Sequence, residues 1–295
     1  MGKIKILVTG ANGFVGKTFI KNIDKDFYNI FALSRKRPVG LDKGIEFYEQ
    51  DITQPFKLTQ SFDFVFHFAA YNITHVGETD YKIYQKVNVE GTRNLLNAIK
   101  VKNFIFMSTA KVYKCAGGPL DENSPLEPKN DYEKSKLEAE KICQNSFKSG
   151  RLTIFRSVNI IGPGQAEKAL LPILFRKALG QESLEIFAPR ESFFQFLYVD
   201  DLIRAFELLI QGGGRDGIFN LSSKEKIQFD ELSQKIVNLC RSPSKIHFTN
   251  AQARSFCEVR SDKIQKTLGW TAETPMEQIL KIYYRSLCTS HEAKN

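Results

Sequence analysis

One short run constrains this chain more than any other segment: Thr9-Gly10-Ala11-Asn12-Gly13-Phe14-Val15-Gly16. An apolar run, residues 4–8, leads into it, and Val15, Phe19, Ile20 and Ile23 follow at the spacing of one helix face. Glycines let the backbone turn sharply and approach a ligand closely, and the helix that starts there offers free N–H groups and a positive dipole end. A strand, a glycine turn and a helix in the first unit of a parallel sheet make a dinucleotide diphosphate site. The spacing is G-x-x-G-x-x-G instead of the common G-x-G-x-x-G. Gly10, Asn12, Gly13, Phe14, Val15 and Gly16 are the residues that would surround the diphosphate.

The rest of the first half supports that frame. Residues 5–9, 29–33, 45–48, 64–68, 104–108 and 152–155 are short runs rich in Ile, Val and Phe, as strands buried on both faces must be. Helical patterns separate them, which predicts an α/β fold of the Rossmann type: a doubly wound parallel sheet. After Gly162-Pro163-Gly164 the pattern becomes irregular. Helices are expected at 170–179, 201–211, 225–241 and 276–287, and extended segments at 184–187, 197–199 and 218–221. The expected division is a dinucleotide domain of residues 1–162 plus 196–222, a smaller C-terminal α/β substrate domain of 163–195 plus 223–285, and a polar tail of 286–295.

Composition narrows the classes. No apolar run approaches membrane-spanning length. Met1 leads directly into a strand pattern, so no signal peptide is expected and the cytoplasm is the expected compartment. Cys115, Cys143, Cys240, Cys257 and Cys288 are scattered and odd in number, which reads as free thiols with no disulfide framework. His67, His75, His247 and His291 lack metal-ligand spacing, so no metal is expected. The net charge of +9 is spread among acidic residues, without the basic-aromatic alternation of a single-strand groove, so no nucleic-acid partner is expected.

Tyr132 and Lys136 stand at i and i+4, which puts them on one helix face. An ammonium beside a phenol favours the phenolate and lowers its pKa toward working pH. Such a tyrosine takes a proton from an alcohol as hydride leaves, or gives one to a ketone as hydride arrives. Thr109 ends the preceding strand, where its hydroxyl can hold the same substrate oxygen. Taken alone, Tyr-x-x-x-Lys is common on exposed helices; in the company of the glycine turn and Thr109 it reads as a catalytic pair. At the end of the second strand, where enzymes selecting NAD carry an acid, stand Ser34-Arg35-Lys36-Arg37. Ser34 and Arg35 suit a 2′-phosphate, which favours NADP(H) over NAD(H).

These segments, in this order, resemble the extended short-chain dehydrogenase/reductase family of nucleotide-sugar epimerases, 4-ketoreductases and dehydratases. Further matches are Asp51-Ile52, His67-Phe68-Ala69-Ala70, Asn88-Val89-Glu90-Gly91-Thr92, Ser108-Thr109-Ala110-Lys111-Val112-Tyr113, Tyr132-Glu133-Lys134-Ser135-Lys136, Arg156-Ser157-Val158-Asn159-Ile160-Ile161-Gly162-Pro163, Tyr198-Val199-Asp200-Asp201 and Leu268-Gly269-Trp270. The resemblance implies that Asp51 and Ile52 contact adenine, that Phe68, Ala69 and Ala70 line the cofactor groove, and that Lys136 binds the nicotinamide ribose. It implies a nucleotide-sugar substrate near Tyr71, Thr109, Asn159, Arg190, Gln195 and Arg260, and a homodimer built on the helices around 85–100 and 132–148. Ala110 and Lys111 stand where 4,6-dehydratases of the family carry an Asp-Glu pair, which disfavours that dehydration. A reductase must exchange spent cofactor and NADPH is the usual reducing supply, so the basic turn at residues 34–37 favours a 4-keto-sugar reductase over a 4-epimerase. A regulatory protein that binds NADP(H) without catalysis is the rival from another class, disfavoured because both Tyr132 and Lys136 are present.

Overall fold

The computed structural model describes residues 2–72, 80–147, 150–190, 192–249 and 257–292. His75 and residues 293–295 lie outside them. The strands are β1 (Ile4–Thr9), β2 (Tyr28–Ser34), β3 (Glu46–Glu49), β4 (Ser61–His67), β5 (Lys100–Thr109), β6 (Arg151–Ser157), β7 (Asn159–Ile161), β8 (Leu184–Ile186), β9 (Phe193–Phe194), β10 (Phe196–Tyr198), β11 (Gly217–Leu221), β12 (Ile227–Gln228) and β13 (Ile246–Phe248). The helices are α1 (Phe14–Asn22), α2 (Tyr81–Tyr84), α3 (Gly91–Ala98), α4 (Asp131–Ser146), α5 (Leu170–Leu179), α6 (Val199–Gln211), α7 (Phe229–Leu239), α8 (Asp262–Leu268) and α9 (Met276–Glu292). A π-helical stretch, Gln85–Glu90, joins α2 to α3 without a break in the helix axis direction of the backbone dihedrals.

Seven parallel strands form the sheet in the order β11-β6-β5-β4-β1-β2-β3. This is the doubly wound arrangement, with its topological switch between β1 and β4, and ligands of such sheets bind at the C-terminal strand ends beside that switch. One face is covered by α1 and α6, where Phe19, Phe66 and Phe206 pack ring against ring. The other is covered by α3 and α4 over Phe31, Leu95, Phe104 and Ala139. A second core, with Phe175, Leu184, Leu232 and Tyr283, forms the smaller C-terminal lobe from α5, α7, α9 and the short strands between them.

Three expectations change. The segment after Val259 does not stay with the smaller lobe: Ile264 and Trp270 are buried in the sheet-side core, and the Trp270 indole donates to the Asp201 carbonyl at 2.8 Å. Residues 286–292 are not a loose tail but the last turns of α9, whose Ile279, Leu280 and Tyr283 are buried and whose Leu287 packs on the second core. Cys115 and Cys257 are not free thiols; they form a disulfide across 142 residues of sequence, with Cα atoms 5.6 Å apart. Leu120 and Val259 pair as a parallel bridge next to it, bringing the two segments side by side. Among the described residues, no helix is long and apolar enough to cross a membrane, and no cluster of His, Cys, Asp or Glu could hold a metal.

Candidate active site

The glycine turn closes on itself through a 2.8 Å bond from the Gly13 N–H to the Gly10 carbonyl. Gly10 has φ +66°, and a Cβ there would lie 2.6 Å from the Ala69 nitrogen. Gly16 is equally confined: its Cβ would stand 2.4 Å from the Gly10 carbonyl oxygen. Both glycines are therefore required by close backbone approach. Helix α1 has no side-chain cap and no acid in its first turn, so its leading N–H groups remain open to an anion. Asn12 and Gly13 are exposed, Val15 packs on the sheet-side core, and the Phe14 ring approaches Gly162 at the boundary with the smaller lobe.

The second rim of the groove is held by a buried polar chain. The Ala69 N–H donates to the Thr9 hydroxyl oxygen at 3.3 Å, and that hydroxyl meets His67 Nδ1 at 2.7 Å. His67 Nε2 lies 3.0 Å from the Thr92 hydroxyl, which donates to the Asn88 carbonyl at 2.6 Å. Burial, with Lys136 nearby, pushes the His67 pKa down to about 3, so the ring is neutral. Asn88 continues the chain: its side chain holds both backbone groups of Tyr71 and donates to Ser135, which bonds the Tyr132 carbonyl. Phe68 packs on Phe19 and Phe206, while Ala70 is exposed at the groove. Asp51 accepts from the Thr53 N–H, and buried Ile52 fits against Gly91, where a Cβ would lie 2.8 Å from its Cδ1. Asn94 donates to the Ile52 carbonyl.

Tyr132 owes its position to the start of α4. The Asn130 side chain accepts from the Glu133 N–H at 2.9 Å, and the Glu133 carboxylate accepts from the Lys129 N–H at 2.6 Å, a reciprocal cap. Tyr132 thus falls in the first turn and Lys136 in the second, with α4 lying against β5 and the turn after it. The Lys136 ammonium sits 4.0 Å from the centre of the Phe106 ring. Burial draws its pKa down to about 8, against smaller opposing effects of Cys143 and Glu140. Thr109 closes β5, and its hydroxyl oxygen caps the next turn by accepting from the Lys111 N–H at 3.2 Å. The tyrosine departs from expectation: burial first, then Glu133 and Tyr84, raise its pKa above that of a free phenol. Desolvation penalises the ionised form of a phenol, and the Glu133 carboxylate adds to that penalty.

The sequence-predicted substrate residues do not all converge. Tyr71 stacks edge-on to Tyr84, which in turn neighbours Tyr132. Asn159 is exposed on β7, beside the loop that carries Gly162. Gln195 is buried, with its amide bonded to Ser223 and to both backbone groups of Val259, and it lines the cavity that Arg260 also lines. Arg190 is drawn away, paired with Asp230 and stacked on Phe248. Arg260 faces Glu258 and lines a cavity of ≈ 260 Å³ together with Ser222, Lys224 and Asp262. Near the cofactor end, Ser34 bonds the Lys36 carbonyl, Arg35 is exposed and Arg37 lies over Phe47. Sequence reasoning missed Glu140. Its carboxylate is bidentate to Arg156 and accepts from Ser108, and both charged groups are buried. The i+4 spacing from Lys136 was the available signal.

Comparison with known proteins identifies the family and the fold. Residues 6–222 match the family described as NAD dependent epimerase/dehydratase. The dTDP-D-glucose 4,6-dehydratase of Dictyostelium discoideum is 29% identical over 272 residues, covering 80% of this chain and 62% of that protein. The trifunctional UDP-glucose 4,6-dehydratase/UDP-4-keto-6-deoxy-D-glucose 3,5-epimerase/UDP-4-keto-L-rhamnose-reductase RHM1 of Arabidopsis thaliana is 27% identical over 94% of this chain. The chain spans only 46% of that protein. In fold, the chain is similar to the UDP-glucuronic acid 4-epimerase of Bacillus cereus solved with NAD, with a TM-score of 0.87 and 24% identity over 97% of this chain and 99% of the other. The chain belongs to the NAD-dependent epimerase/dehydratase family, within the extended short-chain dehydrogenase/reductase type.

Proposed function

We propose that this chain is an NAD(P)-dependent oxidoreductase of nucleotide sugars that reduces a ketone at the sugar's C4, with Tyr132 as proton donor. The observation that carries the reading is that the Gly10 turn after β1 and the C-terminal end of β5 lie at the same end of the parallel strands, with the first turns of α4 packed against β5 and the turn after it. The residues fit a dinucleotide: Gly10 and Gly16 leave no room for a side chain, and the leading amides of α1 are uncapped. Residues 10–16 would hold the diphosphate, Asp51 and Ile52 the adenine, Ser34 and Arg35 the adenosine ribose, and Phe68, Ala69, Ala70 and Lys136 the nicotinamide side. The bound dinucleotide supplies the hydride.

The proton is the chain's own task. Tyr132 is held protonated by burial and by Glu133 and Tyr84, which suits a donor to an oxygen that gains charge as a ketone is reduced. Thr109, fixed by its cap on Lys111, offers its hydroxyl hydrogen to the same oxygen. Lys136 remains cationic at neutral pH and stabilises the tyrosinate left behind. Dehydration across C5 and C6 needs an acid–base pair after Thr109; Ala110 is buried and apolar, and Lys111 is a cation. Arg35 and its neighbours favour NADP(H), the usual reductant for such a step.

The test is a panel of UDP- and dTDP-linked sugars, including 4-keto sugars, followed by absorbance of the reduced nicotinamide with NADPH and with NADH. Net oxidation of the cofactor by a 4-keto sugar supports reduction. Interconversion of C4 epimers without net oxidation replaces it with 4-epimerisation. Cofactor binding without turnover of any sugar removes the enzymatic reading, and equal affinity for the two cofactors removes the role given to Arg35.

A further inference from the structure

Lys136 is a buried cation, 3% exposed, and among the described residues it makes no ion pair with a carboxylate; Glu140, one turn on, favours its charged form only as a smaller effect. From α4, Glu140 is engaged by Arg156 of β6 and by Ser108 of β5. Glu133 is directed back to residues 129 and 130 at the helix start. The Cys143 thiol is kept protonated, its pKa raised to about 12 chiefly by burial. From β4, His67 is neutral and bonded at both ring nitrogens. The Tyr132 phenol is held protonated by burial, and the Tyr84 ring packs beside it. What lies against the ammonium is the face of Phe106, 4.0 Å away at its centre. This is the shortest cation–ring contact among the described residues; the others measure 4.8 to 5.5 Å.

Phe106 stands in a parallel strand buried on both faces, and its place in the core asks for apolar volume, not for a particular charge distribution. Only an aromatic face presents negative charge density to a cation, and the attraction grows where water is excluded. The His67 ring, 5.7 Å from Phe106 and tilted by 44°, limits how far that face can turn.

We infer that Phe106 is a positioning residue for the reaction: its ring face holds the Lys136 ammonium on the sheet side of α4, charged and oriented for the ribose and for Tyr132. The inference rests on the reading of Lys136 as part of the reacting centre. Because the ring stabilises the charged form, weakening the ring lets desolvation dominate further, and Lys136 loses its proton at lower pH.

The experiment replaces Phe106 in the full chain with 4-fluoro-, 3,5-difluoro- and 3,4,5-trifluorophenylalanine. These keep the shape while draining the ring face of negative charge density. Lys136 is titrated by NMR of 13C-labelled lysine, assigned with Lys136→Arg, and NADP+ binding is measured against pH. The expected result is a stepwise fall of the Lys136 pKa, about half a unit or more across the series. The alkaline limb of NADP+ binding should move down with it. Phe106→Leu should shift at least as far; if that variant does not fold, the isosteric series decides. An unchanged Lys136 titration across the fluorinated rings would overturn the role of Phe106 alone. Full turnover by Lys136→Met would overturn the catalytic reading on which it rests.

Discussion

Glu140 and Lys136 lie one turn apart on the same face of α4, both charged and both almost fully buried, yet their surroundings differ. Around Glu140 the polar groups form a closed chain. Arg156 grips the carboxylate, Ser108 donates to it, and the Arg156 guanidinium lies over Tyr113. Tyr113 bonds Asn220 on β11, and Asn220 reaches the backbone of Arg260. That chain ties α4 to β5, β6, β11 and the segment of the disulfide. Around Lys136 stand a ring face on one side and a tyrosine one turn away, with the groove proposed for the dinucleotide beyond. Buried charge is costly unless it is paired. A closed network answers that cost with structure, whereas an open one keeps hydrogen-bonding capacity for a ligand.

Breaking the closed side should give the largest effect on stability. Glu140→Ala leaves Arg156 buried without its partner and should cost about 3–5 kcal/mol in denaturant unfolding. Replacing both members with apolar residues of similar volume should restore much of it, and failure to do so would show that the network is not self-contained. The open side should respond with the opposite sign. The Lys136 pKa lies below that of a free lysine, at about 8, so the folded state is penalised while the group is charged. Stability should therefore rise as pH climbs from about 8 toward the free-lysine value. Lys136→Met should abolish that rise and stabilise the fold at neutral pH by up to about 3 kcal/mol, while ending turnover. A destabilised Lys136→Met would contradict the distinction between the two sides.

His67 sharpens the comparison, since it is buried, closed and neutral. With its pKa at about 3 instead of 6.5, the unfolded chain takes up the proton first. The stability from this group is intact above about 6.5 and is lost progressively down to about 3. Between pH 7.5 and pH 5 the loss should be about 2 kcal/mol, and it should be absent from the pH profile of His67→Gln.

The sheet was readable from sequence because strands covered on both faces show as unbroken apolar runs, and β1, β2, β5 and β6 were placed to within a few residues. The glycine turn was readable because a sharp strand-to-helix turn demands glycine in any chain. That Tyr132 and Lys136 share one helix was readable because helical spacing is local. Partnerships formed only by the folded chain were not. His67 looked like one letter of a motif, yet it joins Thr9 to Thr92. Gln195 looked like a substrate contact, and it also holds Val259. Cys115 and Cys257 meet only because the strand order carries β11 and the segment after it beside the loop following Thr109. Trp270 turns back to the sheet through a single bond to Asp201 that no local pattern announces.

The measurement that bears most directly on the account is Tyr132→Phe, assayed for dinucleotide binding and for turnover of the sugar that the panel identifies. The account predicts cofactor affinity within a few-fold of the parent chain and turnover lower by about 10²- to 10⁴-fold, as expected when a positioned proton donor is removed. Turnover close to that of the parent, with the cofactor still bound, would contradict it.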